Sequence, residues 1–274
     1  MVAPMNWNLA VAANDDALLG RCLLASPGAR SASKVLVERG FPSAAQAYSA
    51  ASLKAEADII VFAHQDVYLP AGWDDRLGSA LEHLHAKDPG WAVAGVVGIA
   101  TGLAPTGYAY CTGLQRIVGA PFPEPVEAET LDELLLVVRR SSRLRFDEKL
   151  PGFHLYGTDI CLTARKSGMR AYIIPAFCVH NTAGLDFLPV SFWRSYLYLR
   201  RKWRAALPIK TPCTTITRFG WPIVSHTFRS AYSCYVRGEK AGSRVKDPSA
   251  LLRNLEDHGQ SLAPVPKKRA VQAQ

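Results

Sequence analysis

Three short apolar runs alternate with helix-like stretches near the start of the chain, and this alternation restricts the fold more than any other feature. The runs span residues 8–13, 34–37 and 58–63. Each is rich in Val, Ile, Leu or Ala, as strands buried on both faces of a parallel sheet are. Residues 15–25 and 43–57 lie between them and have helical patterns, with Ser43 as a plausible N-cap. Alternating strands and helices predict an α/β domain.

The later part of the chain continues this pattern and then changes character. We expect strands at residues 91–98, 170–175 and 177–180, and a helix at residues 158–167. From Val190 the sequence becomes aromatic and basic, which predicts a helix, and the polar tail from Gly238 is expected to be largely mobile. The predicted architecture is a mostly parallel central sheet flanked by helices, with a helical basic C-terminal extension.

Positive charge is concentrated in the last third of the chain. The 274 residues include 32 Lys and Arg against 23 Asp and Glu, a formal net charge of +9. Residues 194–274 hold sixteen of the basic residues and four of the acidic ones, so the remainder is close to neutral. A surplus placed in this way points to an anionic partner, which can be membrane phospholipid, nucleic acid or a phosphorylated substrate.

Several classes of protein are excluded or disfavoured by pattern. No apolar run reaches the eighteen residues that a membrane span needs, and the N-terminus lacks the basic region of a secretory signal. The six cysteines form no CxxC pair, so we expect free thiols in a reducing cytoplasm. Neither GxGxxG after the first strand nor GxxxxGK[ST] occurs, which removes the main support for dinucleotide-binding and P-loop readings.

The third apolar run ends abruptly in polar residues. Because ligands of open α/β folds bind at the carboxyl ends of the strands, Asp66 is expected at a binding edge. A carboxylate oxygen suits Mg²⁺ or Mn²⁺, and such an ion can bridge the phosphates of a nucleotide diphosphate. Spacing alone equally allows His64 and Asp66 to be strand-end residues that cap the next turn.

Two further polar residues follow predicted elements in the second half. Asp159 falls in the first turn of a helix, where it can accept a proton from a hydroxyl or simply stabilise the helix dipole. His180 ends a strand, where it is either a structural hydrogen-bonding residue or, if another ligand converges on it, a metal ligand.

Taken in order, these segments resemble the family 2-like glycosyltransferases, in the branch typified by streptomycin-biosynthesis-type proteins. The resemblance rests on HQDVYLPAGW at residues 64–73, FDEKLPGFHLYGTDICLTARKSG at residues 146–168 and a strand that ends in VH. It covers roughly residues 6–205 and implies a GT-A fold. Residues 1–190 would form the glycosyltransferase domain, with a nucleotide-sugar half to about residue 100 and an acceptor half from about residue 101. Residues 191–274 would form the extension.

The resemblance also implies roles for individual residues. His64, Gln65 and Asp66 occupy the place of the family's DxD motif, so Asp66 would hold the divalent ion and the other two would contact the donor. His180 matches a histidine that supplies a second metal ligand. Asp159 matches the aspartate that serves as general base in inverting members.

Other positions match the family more loosely. Glu38 lies where an acidic residue commonly binds the uracil or ribose, and Asp132 resembles the sugar-side aspartate. The Lys202–Trp203 pair matches a basic residue and tryptophan that follow the catalytic core. Leu199 stands where processive polymerases have glutamine, which argues against processive polymerisation.

The implied reaction is transfer of a sugar from a nucleotide-diphosphate sugar, with UDP-sugars foremost, to an acceptor hydroxyl with inversion and with Mn²⁺ or Mg²⁺ as cofactor. The acceptor would be a saccharide, a lipid-linked molecule or a small molecule. The alternatives are a nucleic-acid-binding protein, which the absence of a known nucleic-acid motif disfavours, a sugar nucleotidyltransferase, and a non-catalytic nucleotide-sugar-binding protein.

The predicted helix at residues 191–206 allows two interpretations. Helical spacing places Phe192, Tyr196, Leu199 and Trp203 on one face, with basic residues nearby. This face either packs on the acceptor half or docks on an anionic inner leaflet. The expected location is therefore cytoplasmic, with peripheral placement on the inner membrane face in the second case.

Overall fold

The structure is a computed structural model, and it describes residues 5–184, 186–237 and 241–257. The strands are β1 Trp7–Ala13, β2 Lys34–Arg39, β3 Ile59–Ala63, β4 Val67–Tyr68, β5 Trp91–Gly95, β6 Val97–Ala100, β7 Pro105–Cys111, β8 Arg116–Gly119, β9 Val126–Leu131, β10 Leu135–Arg139, β11 Arg170–Ile173, β12 Cys178–His180, β13 Ile209–Lys210 and β14 Thr215–Ile216. The helices are α1 Asp16–Arg21, α2 Ala44–Lys54, α3 Trp73–Lys87, α4 Tyr156–Lys166, α5 Val190–Lys202, α6 Trp221–Tyr235 and α7 Pro248–Asp257.

The main sheet has the order β2-β1-β3-β10-β5-β11-β9-β6-β7-β12-β4, with β8 added to β7. This α/β arrangement confirms the predicted class. The pairs β1–β2, β1–β3, β5–β11 and β7–β12 are parallel. The other neighbours in this sheet are antiparallel, so the sheet is mixed, which corrects the prediction of a mostly parallel one. Links such as the one from β6 to β7 are too short for a parallel crossover.

The first elements form where the sequence pattern places them. The central strands β1 and β3 consist largely of buried residues, whereas the edge strand β2 alternates between buried and exposed positions. Ser43 caps α2 by accepting a hydrogen bond from the Gln46 backbone nitrogen, as predicted. Asp15 caps α1 in the same manner through Leu18. These caps satisfy backbone donors that would otherwise lack partners at the helix starts.

The aromatic face of α5 is buried in the main core. Phe192, Tyr196 and Leu199 belong to the same apolar cluster as Ile60 of β3 and Tyr156 of α4. Packing, rather than docking, is therefore the role of this face. Because the cluster joins residues on both sides of position 190, the core continues across the predicted boundary between the domain and its extension, and that boundary stays a prediction.

Part of the tail that we expected to be mobile packs on the body. Residues 241–257 include α7, and Leu252 of this helix is buried with Tyr68, Tyr108, Phe177 and Val179. These contacts correct the expectation for this segment, while the part of the tail after residue 257 lies outside the described residues. No helix in the described ranges is both long enough and apolar enough to cross a bilayer. All six cysteines are unpaired.

Candidate functional site

His64, Asp66 and His180 come together at one edge of the sheet. Nitrogen or oxygen atoms of the three side chains lie within 4.8 Å of one another, and His180 Nε2 is 3.4 Å from Asp66 Oδ1. His64 and Asp66 follow β3, whereas His180 ends β12. The backbone joins the two segments, because His180 pairs with Val67 and the Asn181 backbone nitrogen donates to the Asp66 carbonyl at 2.8 Å. The predicted Asp66 and His180 thus meet, and His64 joins them.

Mutual charge stabilisation dominates the titration of this cluster. Burial lowers the pKa of His180, but hydrogen bonds to Asp66 and Cys111 and the charge of Asp66 outweigh it and raise that pKa to about 10. Burial likewise raises the pKa of Asp66, yet His180, His64 and Arg244 together hold it well below its usual range. Burial and the charge of His180 lower the pKa of His64 to about 4. At neutral pH an aspartate–histidinium pair therefore lies beside a neutral imidazole.

Tyr156 fixes the tautomer of His64. The Tyr156 hydroxyl donates to the Glu133 carbonyl oxygen at 3.0 Å and lies 2.8 Å from His64 Nε2. Since a hydroxyl has a single proton, His64 must donate from Nε2, which leaves the Nδ1 lone pair free. A hydrogen bond that orients one ring nitrogen while the other ligates is the usual arrangement around protein metal sites.

The donor set of this cluster fits a divalent transition metal. Two imidazoles and one carboxylate suit Mn²⁺ better than Mg²⁺, because Mg²⁺ is held mainly by oxygen ligands. Of the two cofactors that the sequence predicted, the residues present therefore favour Mn²⁺.

A cavity of about 610 Å³ lies next to the cluster. Its walls come from the carboxyl ends of β1, β2 and β3 and from the segment that begins α4, and His64, Gln65 and Asp66 are among its lining residues. This volume lies within the range of 300–1,000 Å³ that is typical of small-molecule sites. Gln65 holds the segment after β1 in place, since its Oε1 accepts hydrogen bonds from the backbone nitrogens of Asn14 and Asp15.

Glu38 lines the same cavity from the end of β2, and its contact with the donor stays a prediction. The residue is buried, and Lys54 Nζ lies 2.7 and 2.8 Å from its two carboxylate oxygens. Glu38 can accept further hydrogen bonds through the carboxylate lone pairs that Lys54 does not use.

Glu133, and not Asp132, is among the residues that line the cavity. Asp132 Oδ1 caps a turn by accepting a hydrogen bond from the Leu134 backbone nitrogen at 3.0 Å, whereas Glu133 is a lining residue. Burial, reinforced by the charge of Asp132, raises the pKa of Glu133 to about 8. The sequence shows two adjacent acids and cannot show which of them faces the cavity, because that depends on how the chain enters β10.

Asp159 lies outside the set of residues that line this cavity. It is buried, and its two oxygens are 2.7 and 2.8 Å from Lys202 Nζ, while Trp203 Nε1 donates to Oδ1 at 2.6 Å. Burial raises the pKa of Asp159 against the opposing effect of Lys202. The predicted base is thus held by the Lys202–Trp203 pair at the end of α5, which ties that helix to α4.

Comparison with known proteins gives limited similarity. No family model matches the chain. A stretch of 156 residues, 54% of the chain, is 34% identical to a curated protein of Fuscovulum blasticum described as ATP synthase subunits region ORF 6. The chain spans 61% of the length of that protein.

The solved structures that resemble the chain include sugar-transferring and nucleotide-binding proteins. A mannosyltransferase from Pyrobaculum calidifontis, in complex with GDP-Man and Mn²⁺, has a TM-score of 0.47 at 16% identity, over 94% of this chain and 82% of that one. S. aureus TarS has a TM-score of 0.46 at 11% identity, over 72% of this chain and 65% of that one, and other TarS structures hold UDP or UDP-GlcNAc. Similarity of this extent assigns neither activity nor ligand to the chain.

Proposed function

We propose that the chain is a metal-dependent, inverting, non-processive glycosyltransferase with a GT-A fold, of the family 2-like class and its HQD branch. It would move a sugar from a nucleotide-diphosphate sugar, UDP-sugars foremost, to an acceptor hydroxyl. The observation that carries the proposal is the meeting of His64, Asp66 and His180 at the carboxyl edge of the sheet, beside a cavity of suitable volume. Ligands of open α/β folds bind at this edge.

Asp66, His180 and His64 would hold the metal, and Mn²⁺ bound there would supply positive charge next to the departing diphosphate. Gln65 and Glu38 line the same cavity, and we assign them to the donor, with Glu38 as the acceptor of hydrogen bonds from the ribose or base. Asp132, whose carboxylate caps the turn before β10, would act on the donor only by holding Glu133 in position.

We assign the role of general base to Glu133 instead of Asp159. Glu133 is one of the residues that line the cavity, and a pKa of about 8 matches a base that works close to neutral pH. In this scheme Glu133 accepts the proton of the acceptor hydroxyl as the oxygen attacks the anomeric carbon. The bond from that carbon to the diphosphate breaks, and the electron pair leaves with the phosphate oxygen. Asp159 then has a structural role through Lys202.

For the acceptor side we propose a lipid-linked acceptor at an anionic membrane surface, reached through α6 and not α5. In α6, Trp221, Phe228 and Tyr235 are 70, 71 and 79% exposed, and together with Tyr232 they follow helical spacing along one face. Residues 187–238 contain nine Lys and Arg and no Asp or Glu. An aromatic stripe in a basic segment is the composition of interfacial helices.

Calorimetric titration tests the donor half of the proposal. UDP and GDP are each titrated with and without Mn²⁺ into the wild-type protein, Asp66→Ala and the exposed-site control Asp75→Ala. We expect one nucleotide to bind only with Mn²⁺, and Asp66→Ala to abolish this binding while the control retains it. Unchanged binding by Asp66→Ala would refute the metal site. Absence of sugar transfer or hydrolysis by the wild-type protein with bound nucleotide would favour a non-catalytic binding protein.

A further inference from the structure

Residues 241–247, which we call the strap, cross the edge of the sheet that carries the metal-ligand candidates. The Gly242 backbone nitrogen donates to the Gly113 carbonyl at 2.9 Å, and the Gly184 nitrogen donates to the Gly242 carbonyl at 2.8 Å. The Ala241 nitrogen donates to Asp186 Oδ1 at 2.9 Å. The strap thus lies between the turn after β7 and the segment after β12.

Three glycines make this close approach feasible. A Cβ atom on Gly242 would lie 2.2 Å from the Thr112 carbonyl oxygen, one on Gly184 would lie 2.4 Å from Ala241 Cβ, and one on Gly113 would lie 2.7 Å from the Gly184 nitrogen. Such separations are shorter than real side chains tolerate, because non-bonded heavy atoms repel strongly at these distances. Glycine on both sides of the contact shows that strap docking is encoded in the sequence.

Asn181 connects the strap to the metal-ligand candidates themselves. Its side chain is fully buried and bonds both backbone groups of Val245, with Nδ2 donating to the carbonyl at 2.9 Å and Oδ1 accepting from the nitrogen at 2.8 Å. Asn181 also follows His180 and donates its backbone nitrogen to the Asp66 carbonyl. The position of the strap is therefore coupled directly to the residues that bring Asp66 and His180 together.

This docking places Arg244 against Asp66. Arg244 Nη2 is 3.4 Å from Asp66 Oδ2, on the opposite carboxylate oxygen from His180. Among the described residues the guanidinium has this one hydrogen-bond partner, and its side chain is 39% exposed. A guanidinium has five donors in a planar fork that matches phosphate oxygens, so most of its hydrogen-bonding capacity remains available.

We infer that Arg244 is a diphosphate-binding residue, which the strap delivers to the donor phosphates beside the metal-ligand cluster. The inference rests on the proposed function and deepens it. Arg244 holds most of its donors beside Asp66, which lines the cavity, and the phosphate oxygens of a ligand in that cavity would provide the acceptors that these donors lack. Arg244 acts by donating hydrogen bonds to the diphosphate and changes no covalent bond.

The test compares Arg244→Ala with Arg253→Ala, an exposed arginine of α7 that pairs with Asp247. Calorimetry measures the Kd of the bound nucleoside diphosphate, UDP or GDP, with Mn²⁺, and the Kd of the matching nucleoside. A charge-assisted hydrogen bond to phosphate is expected to make Arg244→Ala bind the diphosphate about ten- to a hundredfold more weakly. Affinity for the nucleoside and both affinities of Arg253→Ala should stay within twofold. Mn²⁺ alone, measured by electron paramagnetic resonance, should bind Arg244→Ala no more weakly than the wild-type protein, because the variant only removes a positive charge beside Asp66.

A second variant tests delivery by the strap. Gly242→Val leaves Arg244 in the chain but prevents docking, so it should weaken diphosphate binding as Arg244→Ala does, with an unchanged circular dichroism spectrum. Wild-type affinity for the diphosphate in Arg244→Ala would overturn the inference while leaving the proposed function intact. Tighter Mn²⁺ binding by Arg244→Ala with unchanged diphosphate affinity would overturn it as well, in favour of a guanidinium that competes with the metal. A wild-type protein that binds neither UDP nor GDP would overturn the proposed function and this inference together.

Discussion

Glu133 illustrates how one carboxyl group can be prepared for proton transfer by its surroundings. Loss of solvent disfavours its charged form, and the neighbouring Asp132 adds repulsion, so its pKa rises to about 8. In an unfolded chain the same group would titrate near 4.5. The folded protein therefore binds a proton at Glu133 over a pH range in which the unfolded chain does not, and this difference is measurable without any substrate.

The first prediction concerns this pH range in metal-free protein. Because the pKa of Glu133 is raised in the folded protein, the contribution of this group to the free energy of unfolding is complete below about pH 4.5 and is lost as pH rises through 8. His64, whose pKa is lowered to about 4, makes the free energy of unfolding rise with pH, but only between about pH 4 and 6.5. His180 acts in the same direction as Glu133, because its pKa is raised from 6.5 to about 10 in the folded protein. From pH 6.5 to 8 the free energy of unfolding should thus fall, by at most about 2.7 kcal/mol per pH unit for the two groups together, in urea titrations with EDTA.

Glu133→Gln is the matched variant for this prediction. It should make the fall in stability between pH 6.5 and 8 shallower and leave the part that His180 contributes. It should also lower turnover by about 10² to 10⁴ because a general base is removed. A variant with the wild-type slope and wild-type turnover would show that Glu133 neither titrates in this range nor acts as the base.

Asp159 leads to the second prediction, which is also one about a single residue. Removing one partner of a buried ion pair leaves the other charge uncompensated and typically costs 3–5 kcal/mol. Lys202 retains Asp147 at 2.7 Å, so Asp159→Ala should cost about 3 kcal/mol, at the low end of this range. Urea denaturation measures the loss, and nucleotide binding by the folded fraction should persist.

Asp159→Asn distinguishes the structural role from the catalytic one. If Asp159 only connects α4 to α5, this variant loses stability and keeps most of its turnover. Retained stability with turnover reduced by 10² or more would instead restore Asp159 as the base that the sequence resemblance implied.

At the scale of elements, what the sequence could predict depends on whether the signal is local. The apolar runs of β1, β2 and β3 are continuous, and the observed strands begin and end within two residues of the predicted positions. The order of strands in the mixed sheet depends on pairing between distant segments, such as β10 with β3, which no local pattern carries. α7 was not predicted although its local signals are present, since Asp247 caps its start and Leu251, Leu252 and Leu255 follow helical spacing.

The candidate site divides in the same way. Asp66 and His180 could be identified because Asp66 follows β3 and His180 ends β12, and strand ends meet at a sheet edge. Glu133, Tyr156 and Arg244 could not, since their roles depend on side-chain direction or on a docked segment far away in the sequence. Asp159 was placed correctly in the first turn of α4, but the ion pair with Lys202 depends on the packing of α5.

For the whole molecule, the distribution of charge and aromatic side chains sets its orientation toward a partner. The exposed stripe of α6 approaches the region of the strap, because Tyr235 packs on Phe187 with ring centroids 5.8 Å apart, and Asp186 next to it holds Ala241 of the strap. A membrane bound at α6 would therefore lie near the edge of the sheet that carries the candidate site, which is consistent with the proposed lipid-linked acceptor.

The third prediction tests this orientation by cosedimentation with liposomes at low salt. Vesicles with phosphatidylglycerol should bind the wild-type protein, and pure phosphatidylcholine vesicles should bind it weakly, because anionic lipid attracts basic segments by about 1 kcal/mol per residue. The double variant Trp221→Glu, Phe228→Glu should lose binding. Leu53→Glu, which changes a residue of α2 that is equally exposed, is the matched control and should keep it. Equal binding by the double variant would exclude α6 as the docking surface.

The strap also has a consequence for how the protein is made. Every strand of the main sheet is synthesised before residue 241, so the sheet and the cluster of His64, Asp66 and His180 can form on a nascent chain that still lacks Arg244. If Arg244 binds the diphosphate, such a chain would hold a metal yet bind the donor weakly. The order of synthesis would thus delay nucleotide-sugar binding until folding of the sheet is complete.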